Sequence, residues 1–221
     1  MMHKEYIFRF LRDLSDNNSK DWMDDNRERY HMAKARWIEE VDLILKRLSK
    51  HDPYFEQFKP KDTLMRINNN RQFHPDKPIY KDYFSCSPST KAEPFAKIYI
   101  STGISWSFLG GGLWRPDTKI LKQVRDAIDY DGDELVEIIN TKEFKDFYGG
   151  LAYDDQKLKT SPREYANDHK HIDLLRYKNI TAQAELTQKI VVSDGFVDYV
   201  EEGYLALQPL NDFLKKAISV D

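Results

Sequence analysis

The first residues alternate in blocks. Ile7, Phe10, Leu11 and Leu14 recur at helical spacing on one face, which predicts an amphipathic helix over residues 4–14. Asp16-Asn17-Asn18-Ser19 breaks it, and Ser19 has the chemistry of an N-cap, with Asp21 and Asp24 in the turns that follow. One long helical pattern then runs to about Ser49. Its apolar stripe is Trp37, Ile38, Val41, Ile44, Leu45 and Leu48, and His51-Asp52-Pro53 ends it.

In the middle of the chain the period drops to two. Lys97–Ser101 alternates, and Ile104, Trp106 and Phe108 alternate again after Thr102-Gly103, which predicts a β-hairpin with Gly103 in the turn. Leu64–Ile67 and Asp82–Cys86 read as neighbouring strands, and Gly110-Gly111-Gly112 as the close of the sheet. Helical spacing returns after Pro116, with Ile120, Leu121, Val124 and Ile128. Asp131 or Asp133 caps a second helix carrying Leu135, Ile138 and Ile139, and Thr141 starts a short third one that Gly149-Gly150 ends. Further on, Lys157–Lys159 reads as a short strand, Ser161-Pro162-Arg163-Glu164 has capping-box spacing, and Asp168 opens a helix to Leu175. Ser193 or Asp194 caps a closing helix that Pro209 restarts, with Leu210, Phe213, Leu214, Ala217 and Ile218 on its last face. Helices, then strands, then helices predict an α+β fold: one domain over residues 1–221, with a mostly antiparallel sheet from about 63–109 flanked by helices from both ends.

Composition narrows the class. The chain has 221 residues, 40% of them hydrophobic and 13% aromatic, enough for a proper core. A net charge of −3 gives no global argument for a nucleic-acid binder. The one cysteine, Cys86, excludes an internal disulfide framework. No apolar run approaches the ~18–20 residues that span a bilayer, and the N-terminal residues carry charge every few positions. We expect a cytoplasmic protein without a membrane partner.

Against that mild charge one stretch stands out. Thr63–Lys81 carries Arg66, Arg71, Lys77 and Lys81 beside Tyr80, Phe73 and three successive asparagines, with Asp76 its one acid. Arginine and lysine hold phosphates and carboxylates by charge-assisted hydrogen bonds. Asn68-Asn69-Asn70 favours a turn that would offer amide donors next to Arg66 and Arg71. The alternative is a solvated loop with ordinary ion pairs, Asp76 among them. Gly110–Gly112 before a helix suggests a backbone cradle for phosphate, without matching a P-loop or a dinucleotide fingerprint. Its alternative is a steric need for glycine. His169-x-His171 with Asp168 and Asp173 would suit a metal only on a strand, so no metal is expected, and no cofactor can be named. Asp129–Glu134 has the composition of a calcium loop but not its spacing. Cys86 reads as an inert, half-buried thiol, and no nucleophile elbow is present.

Several separated motifs together resemble a known family. They are Arg66-Ile67, Arg71-x-Phe73, Asp76-Lys77 and Tyr80-Lys81; Gly110-Gly111-Gly112 with Trp114 and Pro116; and Leu14…Asn17-Asn18…Lys20-x-Trp22…Asn26-Arg27-x-x-Tyr30. Lys157-Leu158-Lys159…Pro162, Asp168-His169, Arg176-x-Lys178 and Pro209-Leu210…Phe213-Leu214 complete the set. The chain thereby resembles domain-of-unknown-function family 2461, widespread in bacteria and fungi, over nearly its whole length. The resemblance supplies no activity. It implies that Arg66, Arg71, Asp76, Lys77, Tyr80, Lys81, Arg115 or its neighbours, and Arg176 or Lys178 are shared polar positions. Family members usually carry an acid where this chain has Asn69 or Asn70, and a serine near His74, which weighs against a mechanism needing a carboxylate there.

Four functions follow as expectations. The first is a site for an anionic, phosphorylated small molecule: Arg66, Arg71, Lys77 and Lys81 hold charge, Tyr80 and Trp114 wall the site, and Gly110, Gly111 and Gly112 let it approach, with Asp76, Arg115, Arg176 and Lys178 as further candidates. The second is a nucleic-acid contact with Tyr80, Phe73 or Trp114 stacking on bases. The third is an enzyme on a phosphorylated or acidic substrate, with Asp76 or His74 as acid–base group. The fourth is an interaction module whose charges build internal ion pairs only.

Overall fold

The computed structural model describes residues 2–72, 74–90 and 94–219. Among them it holds eight α-helices and one four-stranded antiparallel sheet, an α+β fold. The first helix, α1 (Met2–Asp16), buries Ile7, Phe10, Leu11 and Leu14, the face its spacing predicts. Ser19 caps α2 (Lys20–Asp25) by accepting from the Trp22 N–H at 3.2 Å. The long helix expected to run to Ser49 is broken. Asn26 leaves helical geometry at φ −109°, ψ 22°, and α3 (Arg27–Leu48) starts anew beyond it. Neither glycine nor proline marks that break. Asn26 instead binds its amide to the Trp22 carbonyl at 2.9 Å.

The sheet order is β1-β2-β3-β4, from β1 (Tyr83–Cys86), β2 (Ala96–Gly103), β3 (Phe108–Leu113) and β4 (Ile180–Glu185). Three expectations need correcting. Leu64–Ile67 is not a strand: the segment follows the 79–87 backbone through single bridges, Leu64 to Cys86 and Asn68 to Tyr80. Gly103 is not in the turn. It ends β2 opposite Tyr83, where a Cβ would lie 2.2 Å from the tyrosine Cβ, and 104–107 make the connection. The sheet also reaches beyond residue 109, because β4 joins it from position 180.

Later elements follow the pattern more closely. Asp117 caps α4 (Thr118–Asn140), accepting from Ile120 N–H at 2.8 Å. The two helices expected there form one element with a kink at Asp131. Thr141 caps α5 (Lys142–Tyr148), and Gly149 ends it at φ 72°. Lys157–Lys159 is not a strand and Ser161–Glu164 opens no helix, since Tyr165 N–H closes a turn on the Pro162 carbonyl at 3.0 Å. The helix expected from Asp168 is only α6 (Ile172–Leu175). After α7 (Gln188–Val192), α8 (Phe196–Ser219) passes through Pro209 without ending.

The chain divides into two compact units. The first comprises residues 1–88, 99–109 and 185–202. In it α1 packs on α3, and Phe84 of β1 meets Phe10 of α1 in a stacked pair at 6.4 Å and Tyr30 of α3 at 6.3 Å. The second comprises residues 89–98, 110–184 and 203–221. Its core gathers Leu113, Val124, Ile128, Phe144, Leu175, Ile180, Leu207 and Leu214.

Candidate functional site

The basic segment belongs to the first unit. Its course is fixed from two sides. Asn18, at the end of α1, donates its amide to the Tyr80 carbonyl and accepts from the Tyr80 N–H, both at 2.9 Å, so one side chain imitates a ladder partner. On the other side Lys81 N–H donates to the Ile67 carbonyl at 2.8 Å and Asn69 N–H to the Ile79 carbonyl at 3.0 Å. The asparagine turn holds itself: the Asn69 amide donates to the Pro78 carbonyl at 2.9 Å, and Asn70 Oδ1 accepts from Gln72 N–H at 3.2 Å. Those groups brace the loop rather than face outward as free donors.

Within this frame the cations separate into two roles. Arg71 donates through Nε and Nη2 to the Pro75 carbonyl, at 3.2 and 2.9 Å, and so closes its own loop. Arg66, Lys77 and Lys81 stand near one another. Lys81 Nζ donates to the Arg66 carbonyl at 2.8 Å. Burial lowers the lysine's proton affinity, and the charges of Arg66 and Lys77 lower it further. Among the described residues, none of Arg66, Arg71, Lys77 and Lys81 forms an ion pair with a carboxylate, and Asp76, exposed on the same loop, neutralises none of them. Tyr80, expected as a wall of the site, is buried, and Asn18 brackets its backbone. Phe73, named for stacking, lies outside the described residues.

An aromatic group adjoins the cations. The Lys81 ammonium sits 5.7 Å from the Tyr83 ring centre. Tyr83 meets Trp106 edge-on at 5.3 Å, Trp106 meets Phe108 at 5.0 Å, and Phe108 stacks on Tyr99 at 5.4 Å. Sequence reasoning read Trp106 and Phe108 only as strand alternation. Their link to Lys81 runs through Tyr83, whose place opposite Gly103 depends on the pairing of β1 with β2, which the spacing does not encode.

The remaining candidates belong to the second unit. Gly110, Gly111 and Gly112 do not form a loop after the sheet; they are buried inside β3. Their close approach is to protein. A Cβ at Gly110 would lie 2.3 Å from the Ala182 carbonyl oxygen, at Gly111 2.5 Å from Leu207, and at Gly112 2.3 Å from the Ile180 carbonyl oxygen. Gly112 also takes φ 104°. The steric alternative accounts for these glycines, and the space a phosphate cradle needs is filled by β4 and α8.

Trp114 and Arg115 follow. Trp114 is 51% exposed, and the Arg115 guanidinium lies 5.3 Å from its ring centre. Arg115 holds φ 49°, unusual for a residue with a side chain. A buried network sustains it: Arg115 N–H donates to Asn179 Oδ1 at 2.7 Å, and Asp154 accepts from the Asn179 amide at 2.8 Å and from the N–H groups of Lys178, Asn179 and Gln156. Burial alone would raise the Asp154 carboxyl. The bonds from Asn179, Lys178 and Gln156 outweigh burial and hold it below its ordinary value. Sequence reasoning passed over both Asp154 and Asn179, because a single Asp or Asn carries no spacing signal. Of the expected cations here, Arg176 is engaged by Asp173 at 3.2 Å, while Lys178 contributes its backbone N–H to Asp154. His169 and His171 each face a separate carboxylate, Asp129 at 3.0 Å and Asp133 at 3.5 Å. Cys86 is fully buried, and burial pushes its thiol up to about 12, so it is unreactive at neutral pH.

These features define an α+β protein with an unneutralised cationic segment beside an aromatic sheet face. Residues 6–213 match the family described as a conserved hypothetical protein, DUF2461, and the chain belongs to that family. Searches of curated proteins and of solved structures gave no match.

Proposed function

We propose that the Arg66–Lys81 segment binds an anionic small molecule bearing a phosphate group. The observation that carries this reading is the state of its cations. Helices elsewhere neutralise some of theirs at i,i+4, as in Lys20–Asp24, Lys46–Asp42, Lys122–Asp126 and Lys142–Asp146. Arg66 and Lys77, both exposed, instead act as like charges on the half-buried Lys81, and none of the three has a carboxylate partner among the described residues. Like charges beside a half-buried ammonium destabilise its charged form, and a bound anion offsets that cost. The same observation weighs against a module whose charges only build internal ion pairs. Arg66 supplies a bidentate fork, and Lys77 and Lys81 supply point charges.

Calorimetric titration with inorganic phosphate and ribose 5-phosphate tests the reading. Arg66→Ala should weaken binding of both about tenfold or more, in keeping with the ~1.5–3 kcal/mol of a hydrogen bond to a charged group. Unchanged affinity in Arg66→Ala and in Lys81→Ala would overturn it. A log–log salt plot as steep as six or more neutralised phosphates would instead favour nucleic acid.

A further inference from the structure

We propose, building on the anion reading above, that the bound molecule carries a planar ring, so that the site takes a nucleoside monophosphate: phosphate on Arg66, Lys77 and Lys81, base on Trp106 and Tyr83.

The start of β1 brings a cation and an aromatic ring together. The chain bends at Asp82 just before β1 begins, and the Lys81 ammonium lies 5.7 Å from the Tyr83 ring centre. Across the ladder from Tyr83 stands Gly103, which has no side chain to cover that ring. The indole of Trp106, from the connection between β2 and β3, meets Tyr83 at 5.3 Å and an interplanar angle of 86°. Phe108 and Tyr99 back Trp106 at 5.0 and 6.4 Å. The indole nevertheless remains 45% exposed. A large aromatic surface, supported from behind, open in front and two short steps from unneutralised cations, has the make-up of a stacking platform joined to a phosphate site.

The surrounding bonds hold the platform in place. Ser101 Oγ donates to the Trp106 carbonyl at 2.8 Å, Ser105 Oγ donates to Asp82, and Ile104 N–H donates to the Asp82 carbonyl at 3.0 Å. These bonds fix the connection that carries the indole, and they engage the acid that lies between Lys81 and Tyr83. Burial, with Tyr99 and Asp82 adding to it, pushes the Tyr83 phenol up to about 12, so the ring stays neutral beside an anion at physiological pH. An aliphatic phosphate would use the cations and leave the exposed indole without a purpose.

The test compares adenosine 5′-monophosphate with ribose 5-phosphate on the full chain at fixed ionic strength, by calorimetry. Wild type should prefer the nucleotide about tenfold, the scale of one base stacked on an aromatic side chain. Trp106→Ala should abolish that preference while leaving ribose 5-phosphate unchanged, and Trp106→Phe should restore much of it. Equal affinity of the two compounds for wild type, or equal weakening of both in Trp106→Ala, would overturn the ring proposal and leave the anion reading standing. No binding of either compound would overturn both. Affinity that climbs with oligonucleotide length would contradict a mononucleotide site.

Discussion

At the residue scale, one buried and one half-buried charge contribute in opposite ways. Asp154 lies under four donors from Gln156, Lys178 and Asn179, which hold its carboxyl below the ordinary 3.8. Its stabilisation is therefore complete above the unfolded value and is lost as pH falls through the folded one. Asp154→Ala should cost about 3 kcal/mol, since several buried donors lose their acceptor. Asp154→Asn should flatten the acid limb of stability. Denaturant titrations at pH 7 and across the acid range measure both. Lys81 behaves in reverse. Burial, Arg66 and Lys77 hold it below 10.5, so it loses its proton at lower pH than a free lysine. Phosphate affinity should fall as pH rises through that depressed value, and Lys81→Arg should carry binding to higher pH. Titrations from pH 7 to 10 would show either result. Neither environment could be seen in the sequence: Asp154 is one acid among 37 acidic residues, and its partners Lys178 and Asn179 stand 24 and 25 positions away.

At the element scale, the helices were legible and parts of the sheet were not. Ile7, Phe10, Leu11 and Leu14 make the buried face of a helix, and Ser19 and Thr141 cap where their chemistry suggests, while the cap of α4 is Asp117, one residue past the Pro116 that the sequence pointed to. The missed strand β4 reads Ile-Thr-Ala-Gln-Ala-Glu. Its inward positions after Ile180 are alanines, too small to register as alternation. Those alanines and the three glycines of β3 are one device. Gly110 lies where a Cβ would strike the Ala182 carbonyl, so the two strands approach as closely as their backbones allow. Consecutive glycines read locally as a loop; only the pairing shows them as strand. Gly112→Ala should destabilise by about 3 kcal/mol or more, through left-handed strain and a Cβ 2.3 Å from the Ile180 carbonyl oxygen. Gly149→Ala, with φ 72° but nothing within 4 Å, should cost less, about 1 kcal/mol. Thermal unfolding of the two variants separates the contributions. Pro209 gave a false end to the last helix because the apolar spacing on either side of it continues unbroken.

At the scale of the whole molecule, the distribution of charge matters more than its sum. A net −3 conceals 34 cations and 37 acids, some of them joined along or between helices, as in Arg47 with Glu201 and Lys216 with Glu134. The basic segment departs from that pattern. The sequence showed its cations, and the structure adds that Arg66, Lys77 and Lys81 share a neighbourhood, that Arg71 and Tyr80 serve the loop, and that the glycine triplet serves the sheet. In the second unit the backbone of Arg115 is held by Asn179, itself bound by Asp154, a connection invisible without the fold. Among the described residues no helix is long and apolar enough to cross a membrane.

The most direct test of the central claim is the melting temperature of wild type and of an Arg66→Ala/Lys81→Ala variant across a series of ribose 5-phosphate concentrations at constant ionic strength. At one hundred times its dissociation constant a ligand adds about 2.7 kcal/mol to the folded state. For a chain of this size that raises the midpoint by roughly 5–10 °C. The wild type should show that rise and the variant should stay flat. A parallel rise in both proteins, or none in the wild type, would contradict an anion site at Arg66–Lys81.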